Sequence, residues 1–537
     1  MLNWLDAHLL TVVTFLPLAT GLLLILLRGL PEKIWKIAAV AATTLTFLIS
    51  LRLWFGYDPT RSGYQFVEYA TWLPSWGVHY FVGIDGMSLL LVMLTTFLMP
   101  LVLIGAWNDP KRQVKSFVFF NLFLETGMIG AFLALNLFQF YLFWEIMLVP
   151  MYFIIGIWGG QRRVYAALKF FLFTMVGSLL MLVAILVLYS LHQQQFGVAS
   201  FDLVRRGSGG MPALLDTSIP LAGQAVWWKT QPWLFAAFAL AFGIKVPMVP
   251  FHTWLPDAHT EAPTAGSVVL AGVLLKMGTY GFVRFALPLF PVAAQQAVPV
   301  IFGLALVGIL YGALVAMVQT DLKKLVAYSS VAHLGFVMLG IFALNEEGLE
   351  GAILQMVNHG LSTGALFLLV GMIYERRHTR AIAAFGGIAR PMPVFALLFG
   401  IVAMSSIGLP GLNGFVGEFL ILVGTFLASP WVGAAASFGV VLAAAYLLWA
   451  YRRVFFGPIE EPENRSLIDL SFREMFVVLA MLIPIVWIGV HPSPFLRRLD
   501  ASVGELLHQM EQKKAASFEA RPHDLVAAFE TRAEALR

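Results

Sequence analysis

Long apolar runs, separated by short polar or charged segments, set the pattern of this chain. A helix that crosses a membrane needs about 20 mostly apolar residues. Such runs lie at 8–27, 37–55, 86–107, 116–135, 137–158, 166–190, 233–249, 264–287, 298–318, 322–344, 350–374, 393–428, 431–451 and 473–491. They predict an all-α polytopic membrane protein with about 14 spans, because backbone groups in lipid have no solvent partner and a helix satisfies them internally. A barrel would need short alternating strands instead. The first run is followed at once by Arg28 and has no basic segment before it, the reverse of a cleaved signal, so it reads as a retained span. After Pro494 the chain turns polar with a weak helical pattern. That tail is expected either to pack on the outer surface or a neighbouring subunit, or to be a mobile terminus.

The connections alternate between basic and non-basic. One set carries Arg28, Lys33 and Lys36; Lys111, Arg112 and Lys115; Arg162, Arg163 and Lys169; Lys323 and Lys324; Arg376, Arg377, Arg380 and Arg390; and Arg452, Arg453, Arg465 and Arg473. The positive-inside rule puts this set in the cytoplasm and both termini on the periplasmic side of a bacterial inner membrane. One segment on the cytoplasmic side departs from the rule. Residues 250–263 carry Asp257 and Glu261 and no lysine or arginine, which marks the segment as something other than an ordinary loop.

Composition agrees with the pattern and excludes several classes. The chain is 59% hydrophobic and 12% charged over 537 residues, whereas soluble domains carry about 25% charged residues. There is no cysteine, hence no disulfide, thiolate metal site or cysteine-ligated iron–sulfur cluster. No dinucleotide fingerprint or phosphate-binding Gly-rich loop occurs, so no cofactor and no metal are expected in this chain. The net charge of +4 comes without a basic stripe interleaved with aromatics, and no nucleic-acid partner is expected.

The informative residues are the ionisable ones inside spans, where a charge costs roughly 2.5–3.5 kcal/mol on insertion scales. Glu125, Glu145, Lys245, Lys276, His333, His359 and Glu418 each lie on a different span, away from its ends. Taken singly, each could be a structural ion pair or a satisfied hydrogen bond. Together they resemble a chain of groups able to gain and lose protons. Lys169 and Arg284 lie near span ends and are expected to snorkel toward water. Two of the spans are also broken beside a charge. FGIKVPMVPFHTWLP places Pro247 and Pro250 after Lys245, and SSIGLPGLNGFVGEF places Gly408, Pro410, Gly411 and Gly414 before Glu418. Interrupted helices are tolerated in lipid only when buried or lining a polar cavity. At matching positions of two halves they predict a repeat-built transporter. The expected organisation is spans 1–3 (1–107), two inverted five-helix repeats of spans 4–8 (108–290) and 9–13 (291–456), span 14 (457–492) and the polar tail (493–537).

These segments carry a family resemblance. FGIKVPMVPFHTWLPDAHTEAPTAGSVVLAGVLLKMGTYGFVR, LFQFYLFWEIMLVPMYFIIGIWGG, YSSVAHLGFVMLG and VGIDGMSLLLVMLTTFLMP resemble the signatures of the antiporter-like subunits of respiratory complex I and of multisubunit cation/proton antiporters. The likeness runs from about residue 80 to 455, in matching order. It implies that Glu145 and Lys245 are the paired glutamate and lysine of spans 5 and 7, and that Lys276 is the central lysine. His333 and His359 would be relay positions, Glu418 the terminal residue, and Glu125 a further candidate. Glutamate at 418, where subunits L and N of such complexes carry lysine, resembles the subunit M type, as does the lack of a long lateral C-terminal helix. The implied function is proton translocation driven by electron transfer elsewhere, with NADH, FMN, iron–sulfur clusters and quinone held by other subunits. Subunits L and N, lipids and protons would be its partners. A subunit of a sodium/proton antiporter is the alternative, and a counterpart working with ferredoxin and plastoquinone is a variant of the first reading.

Overall fold

A computed structural model describes residues 6–27, 29–207 and 209–519. Arg28, assigned above to the first basic loop, and the tail beyond Glu519 lie outside the described residues. Among the described residues, twelve helices are long and apolar enough to cross a membrane. In chain order they are α1 (Leu9–Leu26), α2 (Glu32–Gly56), α3 (Gly86–Gly105), α4 (Val114–Leu133), α5 (Leu137–Trp158), α6 (Arg163–Phe196), then α9 (Thr264–Leu289), α10 (Pro291–Met317), α11 (Leu322–Phe342), α12 (Glu346–Arg377), and finally α15 (Pro430–Phe455) and α16 (Phe472–Val490). Between them lie the shorter α7 (Gln231–Lys245), α8 (Trp254–Glu261), α13 (Pro393–Ile407) and α14 (Asn413–Ala428). The fold is therefore an all-α polytopic bundle. Its one departure among the described residues is a hairpin of β1 (Gln65–Leu73) and β2 (Val78–Ile84), antiparallel, which the apolar pattern did not anticipate.

The basic connections come together on one face. Lys36 Nζ donates to the Trp107 carbonyl, Arg112 to that of Ile157, and the Arg162 N–H to the Glu261 carboxylate. Lys169 pairs with Asp257 at 2.7 Å, Arg380 with Asp321 at 3.3 Å, and Arg376 grips Glu474 through two bonds of 2.8 and 2.7 Å. The acidic departure at 250–263 thus has a physical cause: on α8, Asp257 pairs with Lys169 of α6 and the Glu261 carboxylate accepts the backbone N–H of Arg162. The opposite face holds the hairpin and the 197–230 loop, joined where His79 meets Asp202 at 2.8 Å and Asn136 donates to the same carboxylate. Both ends of the described chain reach this second face. Leu10 N–H donates to Glu68 of β1, and Arg498 donates to the Trp54 carbonyl at the end of α2.

The polar tail is not loose up to Glu519. Residues Ser493–Glu519 form α17, with Leu499, Val503, Leu506 and Met510 buried. That spacing of three and four places an apolar stripe on one helix face, and the stripe packs on α3 and α12. The packed alternative of the two stated for the tail is the one observed for these residues.

The middle of the bundle is the driest part. Helices α9, α11 and α12 are buried on nearly every side, whereas α1, α2, α6, α10, α15 and α16 expose more than half their length to the surroundings. Lys276, His333 and His359 sit on this inner set, shielded by the outer helices.

Candidate functional site

The first break separates α7 from α8. Pro247 lacks the N–H that a continuing ladder would need, and the chain turns through Val246–Thr253. The break is stitched: Met248 N–H donates to the Gly243 carbonyl at 2.8 Å, and the Trp254 indole N–H donates to that of Ile244 at 2.9 Å. Lys245 is thereby the last residue of α7, at the helix end where a cation is favoured by the dipole. Its ammonium group is buried without a hydrogen-bond partner and lies 5.1 Å from the centre of the Trp144 ring and 5.6 Å from that of Phe170. The expected partner Glu145 is half-buried on α5, and no ion pair within 4.0 Å joins the two. Aromatic faces and the helix end hold the lysine in this state, and the carboxylate stands off.

Helix α9 follows, tight against α7. A Cβ at Gly278 would lie 2.7 Å from the Phe242 carbonyl oxygen, so only glycine allows this approach. Helix α9 widens into π-helical turns at Leu270–Leu274 and Phe282–Ala286. Such turns disturb the backbone ladder and recur at functional sites. Here the Lys276 ammonium donates to the Ala271 carbonyl of the first one.

From Lys276 the polar groups follow one another across four helices, with one space between the two histidines. Its Nζ lies 2.6 Å from His359 Nδ1 on α12. The His359 and His333 rings stand 5.9 Å apart, centre to centre. His333 Nδ1 on α11 lies 2.7 Å from Glu418 Oε1 on α14, and the Gln355 side-chain amide donates to the same oxygen at 3.0 Å. All four side chains are buried. Each histidine keeps its Nε2 buried and unpartnered, so both rings retain a free position for a further proton or a water. Lys276, His359, His333 and Glu418, on four different helices, thus form one buried run.

The run ends at the second break. Helix α13 stops at Gly408, whose φ of +85° is the left-handed conformation that glycine adopts without strain. A second left-handed glycine, Gly411, turns the chain into α14. Several polar groups at the interruption are paired, while Ser406 Oγ and Asn358 Oδ1 are buried without a partner. Asn413 Oδ1 accepts from Ser405 at 2.5 Å and from Ser362 at 3.2 Å, and Asn358 donates to the Asn413 carbonyl at 2.7 Å. His333, Gln355, Asn358, His359 and Ser362 line a cavity of about 10 Å³ beside the break, roughly the space one water needs.

Several residues fall elsewhere. Glu125 is fully buried on α4 with both carboxylate oxygens unpartnered, apart from the run. Arg284 does not snorkel. It is buried, 2.6 Å from Asp85 at the start of α3, and also donates to the hydroxyls of Tyr64 and Tyr280. Its place near a span end concealed a buried partner supplied by a distant segment. Lys169 does lie at a helix end, held by Asp257. Sequence reasoning missed His259 and Lys323. His259 is fully buried on α8 and stacked on Phe367 at 4.6 Å, and Lys323 is buried with its ammonium donating to the Ala262 carbonyl at 2.5 Å. The signal was available for His259, which lies inside the acidic segment already marked as unusual.

Comparison with known proteins identifies relatives of this chain. Residues 134–443 match the family described as NADH:quinone oxidoreductase/Mrp antiporter, transmembrane. NADH-quinone oxidoreductase subunit M of Rhodobacter capsulatus is 49% identical over 508 residues, covering 93% of this chain and 96% of that one. This chain belongs to the subunit M family of NADH-quinone oxidoreductases. The NADH-ubiquinone oxidoreductase chain 4 of Arabidopsis thaliana is a more distant member, 42% identical over 91% of this chain and 95% of its own. Among solved structures, a chain of respiratory complex I from Thermus thermophilus matches with a TM-score of 0.82 and 34% identity over 93% of this chain and 99% of that one. A chain of the Mrp complex from Dietzia sp. shares the fold, with a TM-score of 0.80 at 19% identity over 96% of this chain and 99% of its own.

Proposed function

We propose that this chain moves protons across the membrane as subunit M of a proton-pumping NADH:quinone oxidoreductase, through Lys276, His359, His333 and Glu418. The observation that carries the reading is their buried alignment from the π-turn of α9 to the break before α14. Lys276 and His359, at 2.6 Å, are close enough to hold one proton between them. Ring rotation or a single water closes the space between the two imidazoles. His333 then delivers to, or takes from, the Glu418 carboxylate, while Gln355 keeps that oxygen oriented. A helix interrupted at this point lets water meet the end of the run.

Glu145 and Lys245 form the gate in this reading. With the ammonium resting against Trp144 and Phe170, the pair is open. Approach of the carboxylate would draw the lysine away from those rings, and withdrawal would release it. Glu125, buried and unpartnered on α4, is a further candidate carboxylate. Redox chemistry involving NADH, FMN, iron–sulfur clusters and quinone belongs to other subunits and supplies the energy. The antiporter-like subunits L and N are the expected neighbours, and the exposed outer helices are the surfaces that lipids and those subunits cover. Each broken segment counts as one crossing, which gives fourteen spans and two repeats at 108–290 and 291–456. Both termini lie on the periplasmic side of a bacterial inner membrane, opposite the basic loops.

The test is Lys245→Ala, paired with Glu145→Ala, in membranes holding matched amounts of assembled complex. NADH oxidation by an artificial acceptor should stay intact, while proton pumping and quinone reductase activity fall severely. A Lys245→Ala complex that pumps at the wild-type proton-to-electron ratio would leave the lysine a structural cation.

A further inference from the structure

A narrow apolar groove of about 320 Å³ opens between α2, α3, α12, α16 and the first turn of α17. It runs from Trp54, Trp487 and Phe495 at the hairpin face down to Phe47 and Phe97. Helix α2 spans this distance in the eight steps from Phe47 to Phe55, about 12 Å at 1.5 Å per residue. One leaflet of hydrocarbon is about 15 Å deep. Volume over length, with the radius of a water added at each wall, leaves a slot roughly 9 Å wide. A hydrocarbon chain fits along such a slot, and the charge at its mouth points to the occupant.

The mouth of the groove is cationic. Arg498 lies one turn beyond Phe495, with its guanidinium 3.8 Å from the centre of the Trp54 ring. It donates to the carbonyls of Pro494 at 2.6 Å and Trp54 at 3.1 Å, and its Nε is buried without a partner. Arg497 beside it is exposed. Neither arginine has a carboxylate within 4.0 Å among the described residues. Two tryptophans at the same level, Trp54 and Trp487, suit the depth of the headgroups. We propose that the groove is a phospholipid site, in which one acyl chain of the leaflet opposite the basic loops fills the apolar slot. The lipid phosphate then accepts hydrogen bonds from Arg498 and Arg497. Because α16 and α17 close the groove against α12, which carries His359, a bound lipid would brace the outer wall of the bundle at the level of the polar run.

The experiment uses the intact complex in nanodiscs containing a phosphatidylglycerol with a diazirine at mid-chain, followed by illumination and peptide mapping. Cross-links are expected within Phe47–Phe55 and Ala480–Ile488. Ala480→Trp, which fills the slot from α16, should lower labelling of these segments about tenfold while leaving labelling of the lipid-facing residues of α6 unchanged. Arg497→Gln with Arg498→Gln should lower it by a similar factor, about tenfold for the loss of a charge-assisted hydrogen bond. Because Arg498 also packs on Trp54, Arg497→Gln alone provides a variant that leaves the packing intact, and it should lower labelling severalfold. Absence of label in the wild-type complex, as when a partner subunit covers the groove, would overturn the proposal. Labelling that survives Ala480→Trp at the wild-type level would overturn it too.

Discussion

Replacing Glu418 by glutamine changes the end of the polar run by one charge and almost no volume. In the native protein one oxygen of Glu418 meets both His333, at 2.7 Å, and the Gln355 amide, at 3.0 Å, in a buried setting. A glutamine carbonyl oxygen can accept from the same two groups, so the geometry should survive. What goes is the charge. A hydrogen bond to a charged group contributes about 1.5–3 kcal/mol, against about 0.5–1.5 kcal/mol for a neutral one. The loss in holding a proton at the His333–Glu418 pair is then about 1–1.5 kcal/mol, close to a tenfold fall in its occupancy. The amide also cannot take up the proton itself, so transfer should fall by more than that factor. Glu418→Asp keeps the carboxylate and shortens the reach by one methylene, a space that the cavity of about 10 Å³ beside it lets a water fill. The assay is proton uptake by inverted membrane vesicles per NADH oxidised, at matched amounts of assembled complex. Glutamine should pump at a small fraction of wild type and aspartate well above glutamine. Wild-type pumping by Glu418→Gln would refute the reasoning and return Glu418 to a structural role.

Other expectations follow from the same contacts. Arg284→Met leaves Asp85 buried without its cation, which should destabilise the protein by about 3–5 kcal/mol; faster thermal inactivation of the complex would register it, and Asp85→Leu in the same chain should restore much of the loss. Gly414→Ala places a methyl group against the Ser405 carbonyl oxygen, so little assembled complex should appear on native gels while Gly504→Ala, which meets open space, assembles normally. A reporter fused to the C-terminus should be active on the side opposite the basic loops, and cytoplasmic activity there would contradict the proposed orientation.

The helices were legible in the sequence because a hydrocarbon surrounding tolerates few solutions: runs near 20 apolar residues mark the spans and proline with glycine marks the breaks. Charges inside those runs identified Lys276, His333, His359 and Glu418, and the structure brings these four together. Three-dimensional pairing was the part that could not be read. Arg284 looked like a snorkelling end residue because Asp85, its partner, lies 199 positions away in the chain. Glu145 and Lys245 were expected to be partners, with no distance legible in the sequence; the lysine rests on Trp144, the neighbour of that glutamate, through an aromatic contact with no period or spacing in sequence. The π-turn that offers Ala271 to Lys276, and the polar stitching by Asn358, Ser362 and Asn413, involve residue types too common to signal a role alone. The hairpin was hidden for a similar reason, since strands of 9 and 7 residues without a clean alternation of buried and exposed positions stand beside spans with far stronger patterns.

The central claim is that protons pass along the buried run, and His359→Phe tests it most directly. Phenylalanine keeps a ring of similar size between Lys276 and His333 and removes both nitrogens. In sealed vesicles with the complex fully assembled and NADH oxidation by an artificial acceptor unchanged, the number of protons pumped per electron passed to quinone should fall. A His359→Phe complex that keeps the wild-type proton-to-electron ratio would contradict the account.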